Sequence, residues 1–453
     1  MRFALVNPKW DFAGSTYFGC HEPHYPLELL FACDQIEAAG HDALLIDAQL
    51  ENLNIAEAGA RVAKFAPDFV VIPTAPSYLF WRCPPPELRI PQQWFKEMRG
   101  AACGKASGKA VQVVIGPHPS ATPLATLRKT GADVAMRGEP DQALALLASR
   151  SWSQVPGACW RGEEGGYSIS PELGVTDMKA LAALDFRNYA VERHSHRHHV
   201  FSGQGRGAEL EFARGCPWSC HFCNKTLFRN QFRERPVAAV LEEIDRLIAR
   251  GVDYVYFIDE IFGVGRNVRE LLEGIAVRPI SIGFQTRIDL WQEETLELAG
   301  RAHCISMECG VESITPEGRD ELNKGCRLST ERLSELLIYA RRRIPWVQAN
   351  LILSEHDDRE HIRGWQEQLK SHGVWVSEPV PMFPYPGTPQ YMRMWGPPDD
   401  EAWERAHRYY TATFRDKGFS DIQEQQPAGL EELECTYSSL PILSAASGLT
   451  RAS

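Results

Sequence analysis

The chain has 453 residues, 44% hydrophobic and 24% charged, with a formal net charge of −11. That length suits two or three domains, and the acidic balance argues against a nucleic-acid partner, because phosphate contacts need clustered Lys and Arg. No apolar run approaches the ~20 residues of a membrane span, and the opening "MRFALVNPKW" is too short for a signal peptide, so a cytoplasmic protein without a membrane span is expected.

From residue 1 to about 150 apolar runs and amphipathic stretches alternate. "RFALVNP", "DALLIDA", "DFVVIPT", "VQVVIGPHPS" and "DVAMRGEP" read as strands, with helices in "PLELLFACDQIEAAG" and "NIAEAGARVAKFAP" between the first three. This is the pattern of a doubly wound parallel sheet, which binds ligands at the carboxyl ends of its strands, where Thr74, Gly116 and Gly138 fall. Residues 151–205 read as a connector rich in Gly and Glu, and its histidines 194, 196, 198 and 199 as a polar surface loop. From 206 to 390 the alternation resumes with "AELEFARG", "DYVYFIDE", "ISIGFQTR", "CISMECGVES", "VQANLILSE" and "VWVSEPVPMF". Six such units suggest an incomplete parallel barrel with its active rim at the strand carboxyl ends. Residues 391–453 read as a helical extension and a Ser/Ala/Gly-rich frayed tail. The basic clusters near Arg229 and Arg342 are read as solvated faces.

Twelve cysteines in a reducing compartment are not expected to form a disulfide framework. Nine are scattered and read as small buried apolar residues. The other three stand in "RGCPWSCHFC", a C-x3-C-x2-C spacing directly after the first strand of the second unit. Zinc would need a fourth ligand, such as His221, and a ferredoxin-type cluster a fourth cysteine. Three thiolates suit a four-iron cluster with one open iron, and an open position is what a catalytic metal centre needs.

The spacing, with an aromatic before the last cysteine and a six-unit barrel around it, resembles the radical S-adenosylmethionine (SAM) superfamily. The resemblance implies that Cys216, Cys220 and Cys223 hold a 4Fe-4S cluster whose open iron chelates SAM. It also implies that one electron from the cluster cleaves SAM to a 5′-deoxyadenosyl radical. Phe222 would pack beside the adenine. Asp259 and Glu260, ending the second strand, would receive the SAM amine; Arg287 would meet a carboxylate; Glu312 and Ser313, ending the fourth strand, would bind the ribose. "LILSEHDD" lacks the glycines often found at the fifth strand, whereas "PYPGTP", residues 384–389, resembles the sixth-strand ending of members with an N-terminal cobalamin domain.

The first unit resembles that cobalamin-binding domain through its Gly40-His41 turn, "GPHPSATP" and "RGEPD". The resemblance places Thr74, Gly116, His118, Ser120, Gly138 and Glu139 at cobalamin, with small residues letting the backbone approach the corrin. No histidine stands two residues after an aspartate, so the D-x-H-x-x-G loop of His-on cobalamin enzymes is absent. The stretch "SYLFWRCPPPELRIPQQW", with Arg82 and Arg89, is either a rigid cover of the sheet edge or a border of cofactor or substrate; it also resembles a subgroup called rhizo-twelve proteins. The expectation is therefore an α/β enzyme with a Rossmann-like cobalamin domain (1–150), a connector (151–205) and a partial (β/α)6 radical SAM barrel (206–390). It would be a methyltransferase acting at an unactivated carbon of a small molecule, supplied with electrons by flavodoxin or ferredoxin. The alternatives are oxidative cyclisation or rearrangement in the same fold, or a non-catalytic metal-clasped cobalamin sensor.

Overall fold

The computed structural model describes residues 1–10, 23–85, 88–101, 109–162, 165–194 and 205–417. The tail beyond 417, His196, His198, His199, and Cys20, Cys103 and Cys435 lie outside the described residues. Two parallel sheets organise the chain. The first runs through β1 (Arg2–Asn7), β2 (Asp42–Asp47), β3 (Phe69–Pro73), β4 (Val111–Ile115) and β5 (Val134–Met136) in the spatial order β2-β1-β3-β4-β5. This is a doubly wound order whose topological switch lies between β1 and β3, where such sheets receive ligands. Along each strand successive side chains enter different cores: Ala4 and Val6 join one buried cluster, Phe3 and Leu5 the other. Both faces are covered, which is why the strands read as continuous apolar runs.

The stretch expected to be a connector does more than connect. It adds an antiparallel hairpin, β6 (Ala158–Arg161) and β7 (Tyr167–Ile169), to the β5 edge of the first sheet. It then runs on as a packed strap whose Met178, Leu184, Phe186 and Val191 are buried. His194 is buried in that strap rather than solvated, its Nε2 2.6 Å from the Tyr189 hydroxyl.

The second sheet is all-parallel and sequential: β8 (Gly207–Leu210), β11 (Tyr254–Phe257), β12 (Ser281–Thr286), β13 (Cys304–Glu312), β14 (Trp346–Leu351) and β15 (Trp375–Val376). Its edges β8 and β15 do not pair, so the sheet remains open. The sixth strand is shorter than its apolar run suggests, because Pro379 and Pro381 carry no N–H for a ladder. Between β8 and β11, β9 (Ala213–Arg214) and β10 (Arg233–Glu234) form an antiparallel ribbon that closes the loop bearing the three cysteines. One apolar cluster runs from Val6 and Ile72 of the first sheet to Phe284 and Leu351 of the second, so the two sheets share a core. The helix Ala402–Lys417 returns to the first sheet's unit, where the Trp403 indole donates to Thr122 Oγ1 at 2.9 Å. No helix among the described residues is long and apolar enough to cross a membrane.

Candidate active site

The cysteine loop is held in shape before any metal arrives. Gly215 has φ +85°, and a Cβ there would lie 2.0 Å from the Gln231 carbonyl oxygen, so only glycine turns the chain out of β9. The Cys216 N–H donates to the Arg229 carbonyl across the ribbon. From the other side, His221 N–H donates to the Leu322 carbonyl, and Asn323 Nδ2 to the Ser219 carbonyl at 2.7 Å. Burial pushes all three thiols up; Cys220 adds to the rise at Cys216, and Cys220 and Cys216 to that at Cys223. Lys225 and, around Cys220, Lys324 and Arg287 oppose that rise. Among the described residues no three His, Cys, Asp or Glu side chains converge on a single-ion site. A four-iron cluster asks for something else: each thiolate takes its own iron, and the assembly is anionic. Three thiols kept apart on one loop, with lysines and a guanidinium around them, fit such a cluster.

Behind the loop lies a buried charge network that sequence reading missed. Arg214, next to Gly215, clamps both oxygens of Asp141 at 2.7 and 3.0 Å and donates through Nε to Glu211 at 2.8 Å. Arg229 donates to Glu260 at 2.6 Å, and Arg233 holds both oxygens of Glu139 at 2.6 and 2.9 Å. Arg214 and Arg229 are 0% exposed at the side chain. The basic cluster around Arg229 is therefore not a solvated face, as expected, but the inner wall of the site. Tyr78, from the insertion after β3, lies under both guanidiniums at 4.4 and 4.2 Å and donates its hydroxyl to Asp141 at 2.6 Å. Asn224 Nδ2 reaches the Trp81 carbonyl at 3.1 Å. The insertion is thus a buried plug between the sheets. The local signal was the pairing of Arg214 with glycine before the first cysteine, but Asp141, which it clamps, stands 73 residues away.

The acidic candidates part ways. Both Asp259 oxygens accept from backbone amides, Phe212 and Ala213 at 2.9 Å each, so it staples β11 to the chain entering β9. Glu260 is likewise spent inside the protein, on Gly215 N–H at 2.7 Å and Arg229. Arg287 does meet a carboxylate, but the protein's own: a bidentate pair with Asp289 at 2.7 and 3.0 Å, with its guanidinium 4.5 Å over Trp218. Ser313 is fully buried and donates to Asp357 at 2.8 Å, closing a turn. Glu312 differs. It sits at a register shift of β13 with φ +69°, a conformation costly for a residue with a Cβ. Its carboxylate accepts from Lys324 at 3.0 Å, is partly exposed, and is felt by Cys220. Phe222 lies half-buried on the cysteine loop. Lys324 and Asp289 were not singled out from sequence; no spacing marks them.

On the first sheet, Thr74 and Ser77 at the end of β3 are buried with hydroxyl oxygens that lack a partner. Such orphans beside the β1/β3 switch fit a ligand with polar substituents, as a corrin has. At the two glycines the space a Cβ would take is filled by protein. A Cβ on Gly116 would lie 2.5 Å from Thr74 Oγ1, and one on Gly138 2.2 Å from the Gly174 carbonyl. Ser120 ties the two strand ends by donating to Gly116 O at 2.8 Å and accepting from Gly138 N–H at 2.9 Å. Glu139 is held by Arg233 and the Thr176 N–H. His118 is fully buried, its ring 4.0 Å from that of Trp403; burial, with Lys129 nearby, drives its pKa down to about 3, so it stays neutral.

Comparisons with known proteins agree with this geometry. Residues 210–365 match the family model of the radical SAM superfamily. The chain is 28% identical over 417 residues to the hopanoid C-3 methylase of Methylococcus capsulatus, covering 88% of this chain and 71% of that protein. It is 21% identical over 425 residues to the anaerobic magnesium-protoporphyrin IX monomethyl ester cyclase of Cereibacter sphaeroides, covering 87% and 64%. The fold matches the radical SAM methyltransferase TsrM from Kitasatospora setae, solved with cobalamin and a [4Fe-4S] cluster, with a TM-score of 0.69, 17% identity, and 87% and 77% coverage. With the cysteine loop on the rim of an open parallel sheet, residues 210–365 form a radical SAM domain, and together with the doubly wound sheet packed against it they have the fold of TsrM.

Proposed function

We propose that the protein is a cobalamin-dependent radical SAM methyltransferase that methylates an unactivated carbon of a small molecule, drawing electrons from a flavodoxin- or ferredoxin-type donor. The observation that carries this reading is the cysteine loop bound, through Arg214 and Arg229, to residues after β5 of the doubly wound sheet. When bound, a four-iron cluster supplies the electron that cleaves SAM, and cobalamin supplies a carrier for the methyl group. Cys216, Cys220 and Cys223 hold the cluster. Glu312 and Lys324 form the polar edge nearest Cys220 and bind SAM, the carboxylate taking its ribose hydroxyls or ammonium in a charge-assisted contact. Thr74 and Ser77 offer their hydroxyls to cobalamin. His118, covered by Trp403, does not ligate cobalt, in keeping with the missing D-x-H-x-x-G loop. The similarity to a cyclase supports ring formation as a second reading, but the hopanoid methylase is more similar and covered further.

The test is anaerobic reconstitution with iron, sulfide and cobalamin, then mass analysis of products from SAM carrying a deuterated methyl group. Both 5′-deoxyadenosine and S-adenosylhomocysteine are expected, with the label in a third molecule. Cys216→Ala, Cys220→Ala or Cys223→Ala should each abolish the oxygen-labile iron. Label that never leaves SAM while 5′-deoxyadenosine accumulates would favour the cyclase reading.

A further inference from the structure

The two faces of the second sheet differ in kind. Its helix-covered face carries Val255, Phe257, Ile282, Phe284, Met307 and Val347, all buried apolar side chains. The opposite face, inside the open barrel, should be filled by branched apolar side chains if it were a packed core. It is polar instead. Gln285 of β12, Glu308 of β13 and Gln348 of β14 stand in register across three adjacent strands, and Gln285 Nε2 donates to Glu308 at 3.0 Å. Tyr256 hydrogen-bonds the same carboxylate. Gln348 Nε2 donates to Asn350 at 2.6 Å.

One layer further down the face is closed. Tyr254 and Ser306 are fully buried, their hydroxyls 3.3 Å apart over Gly283, where a Cβ would lie 2.2 Å from both. Glu308, Gln285 and Asn350 are only half-buried. They form a polar shelf above a sealed floor, about 7 Å along the strand below Gly310 at a rise of ~3.3 Å per residue, and so beneath Glu312 and the cysteine loop. A hydrocarbon seated on this shelf would cover amides and a carboxylate it cannot hydrogen-bond.

We propose that this shelf is the substrate-reading site, that Glu308 is its specificity-determining residue, and that the substrate is a water-soluble, hydroxyl- or amine-bearing molecule rather than a hydrocarbon. The site rests on the radical SAM reading above, and it sets this chain apart from its hopanoid-methylating relative in substrate chemistry. Binding, rather than turnover, keeps the two readings separable.

The reconstituted holoenzyme is incubated separately with the water–methanol extract and the chloroform extract of the cells that encode it, and retained molecules are identified by affinity-selection mass spectrometry. The expected result is retention from the water–methanol extract, weakened about tenfold by Glu308→Gln, with iron content and SAM affinity at parent values. Asn350→Leu, which keeps the carboxylate but makes the shelf greasier, should weaken the same molecules. Retention confined to chloroform-soluble lipids overturns the proposal, as does a retained set identical in parent and both variants, an empty set included. A retained polar molecule that never acquires the deuterated methyl group would refute the methyl-transfer reading and leave the shelf standing.

Discussion

Two sets of ion pairs tie the second sheet's unit to the first, and they are built from the same chemistry in opposite surroundings. Around the cysteine loop, Arg214, Arg229 and Arg233 meet Asp141, Glu139, Glu211 and Glu260 almost without water, and Tyr78 fills the space beneath two of the guanidiniums. At the far side, Arg128 pairs with Asp400 and Lys129 with Glu404 where the C-terminal helix touches the first unit; the Arg128 and Asp400 side chains are 39% and 53% exposed. Water can replace a lost partner in the second set but not in the first. A surface pair is therefore a minor contact, whereas a buried one fixes geometry by making every alternative arrangement expensive. The cysteine loop is built on the expensive kind.

Substitutions can break that contrast. The largest effect is expected for Asp141→Ala, which takes the hydrogen-bond partner from both terminal nitrogens of Arg214 in a dry interior and leaves Glu211 on its Nε. A loss of about 3–5 kcal/mol in denaturant unfolding, with reduced iron incorporation, should result; a loss comparable to a surface mutation would show that water enters the network.

Acid should find the same weak point. Burial alone would raise the Glu139 carboxyl, but the Arg233 hydrogen bonds and the nearby Arg214 and Arg229 charges outweigh it and hold the pKa at about 2. Its folded value lies below its unfolded value, so its stabilisation is complete above the usual carboxylate range. That stabilisation is lost as pH falls from there towards 2. The contribution is about 3 kcal/mol, and Glu139→Gln should flatten the stability profile in that window.

Gly215→Ala should cost about 1–3 kcal/mol and lower iron retention without touching a charge, since the new Cβ meets the Gln231 carbonyl. Asp400→Ala should fall at the bottom of the series, within about 1 kcal/mol of the parent and with full iron content. If Asp400→Ala matched Asp141→Ala, burial would not be what separates the two sets.

Local pattern carried much of the fold into the sequence. Alternating apolar runs and amphipathic stretches marked all five parallel strands of the first sheet and the six of the second, because strand and helix periodicities are properties of neighbouring residues. The cysteine spacing marked the loop for the same reason: three ligands within eight residues need no distant partner to be recognised. The hairpin in the presumed connector escaped notice because β6 and β7 are short and half-exposed, with Gly-rich punctuation that reads as loop.

What the sequence could not decide was the fate of each charge. Asp259, Glu139 and Arg287 have the composition of ligand-binding residues, yet the fold spends them on its own backbone and side chains. Arg214 finds Asp141 across 73 residues and Arg233 finds Glu139 across 94. Pairings of that separation exist only once two sheets have packed. A charge is stable in the interior only beside the partner that packing delivers, so tertiary structure, not residue type, determined which carboxylates serve the fold and which remain open to a ligand.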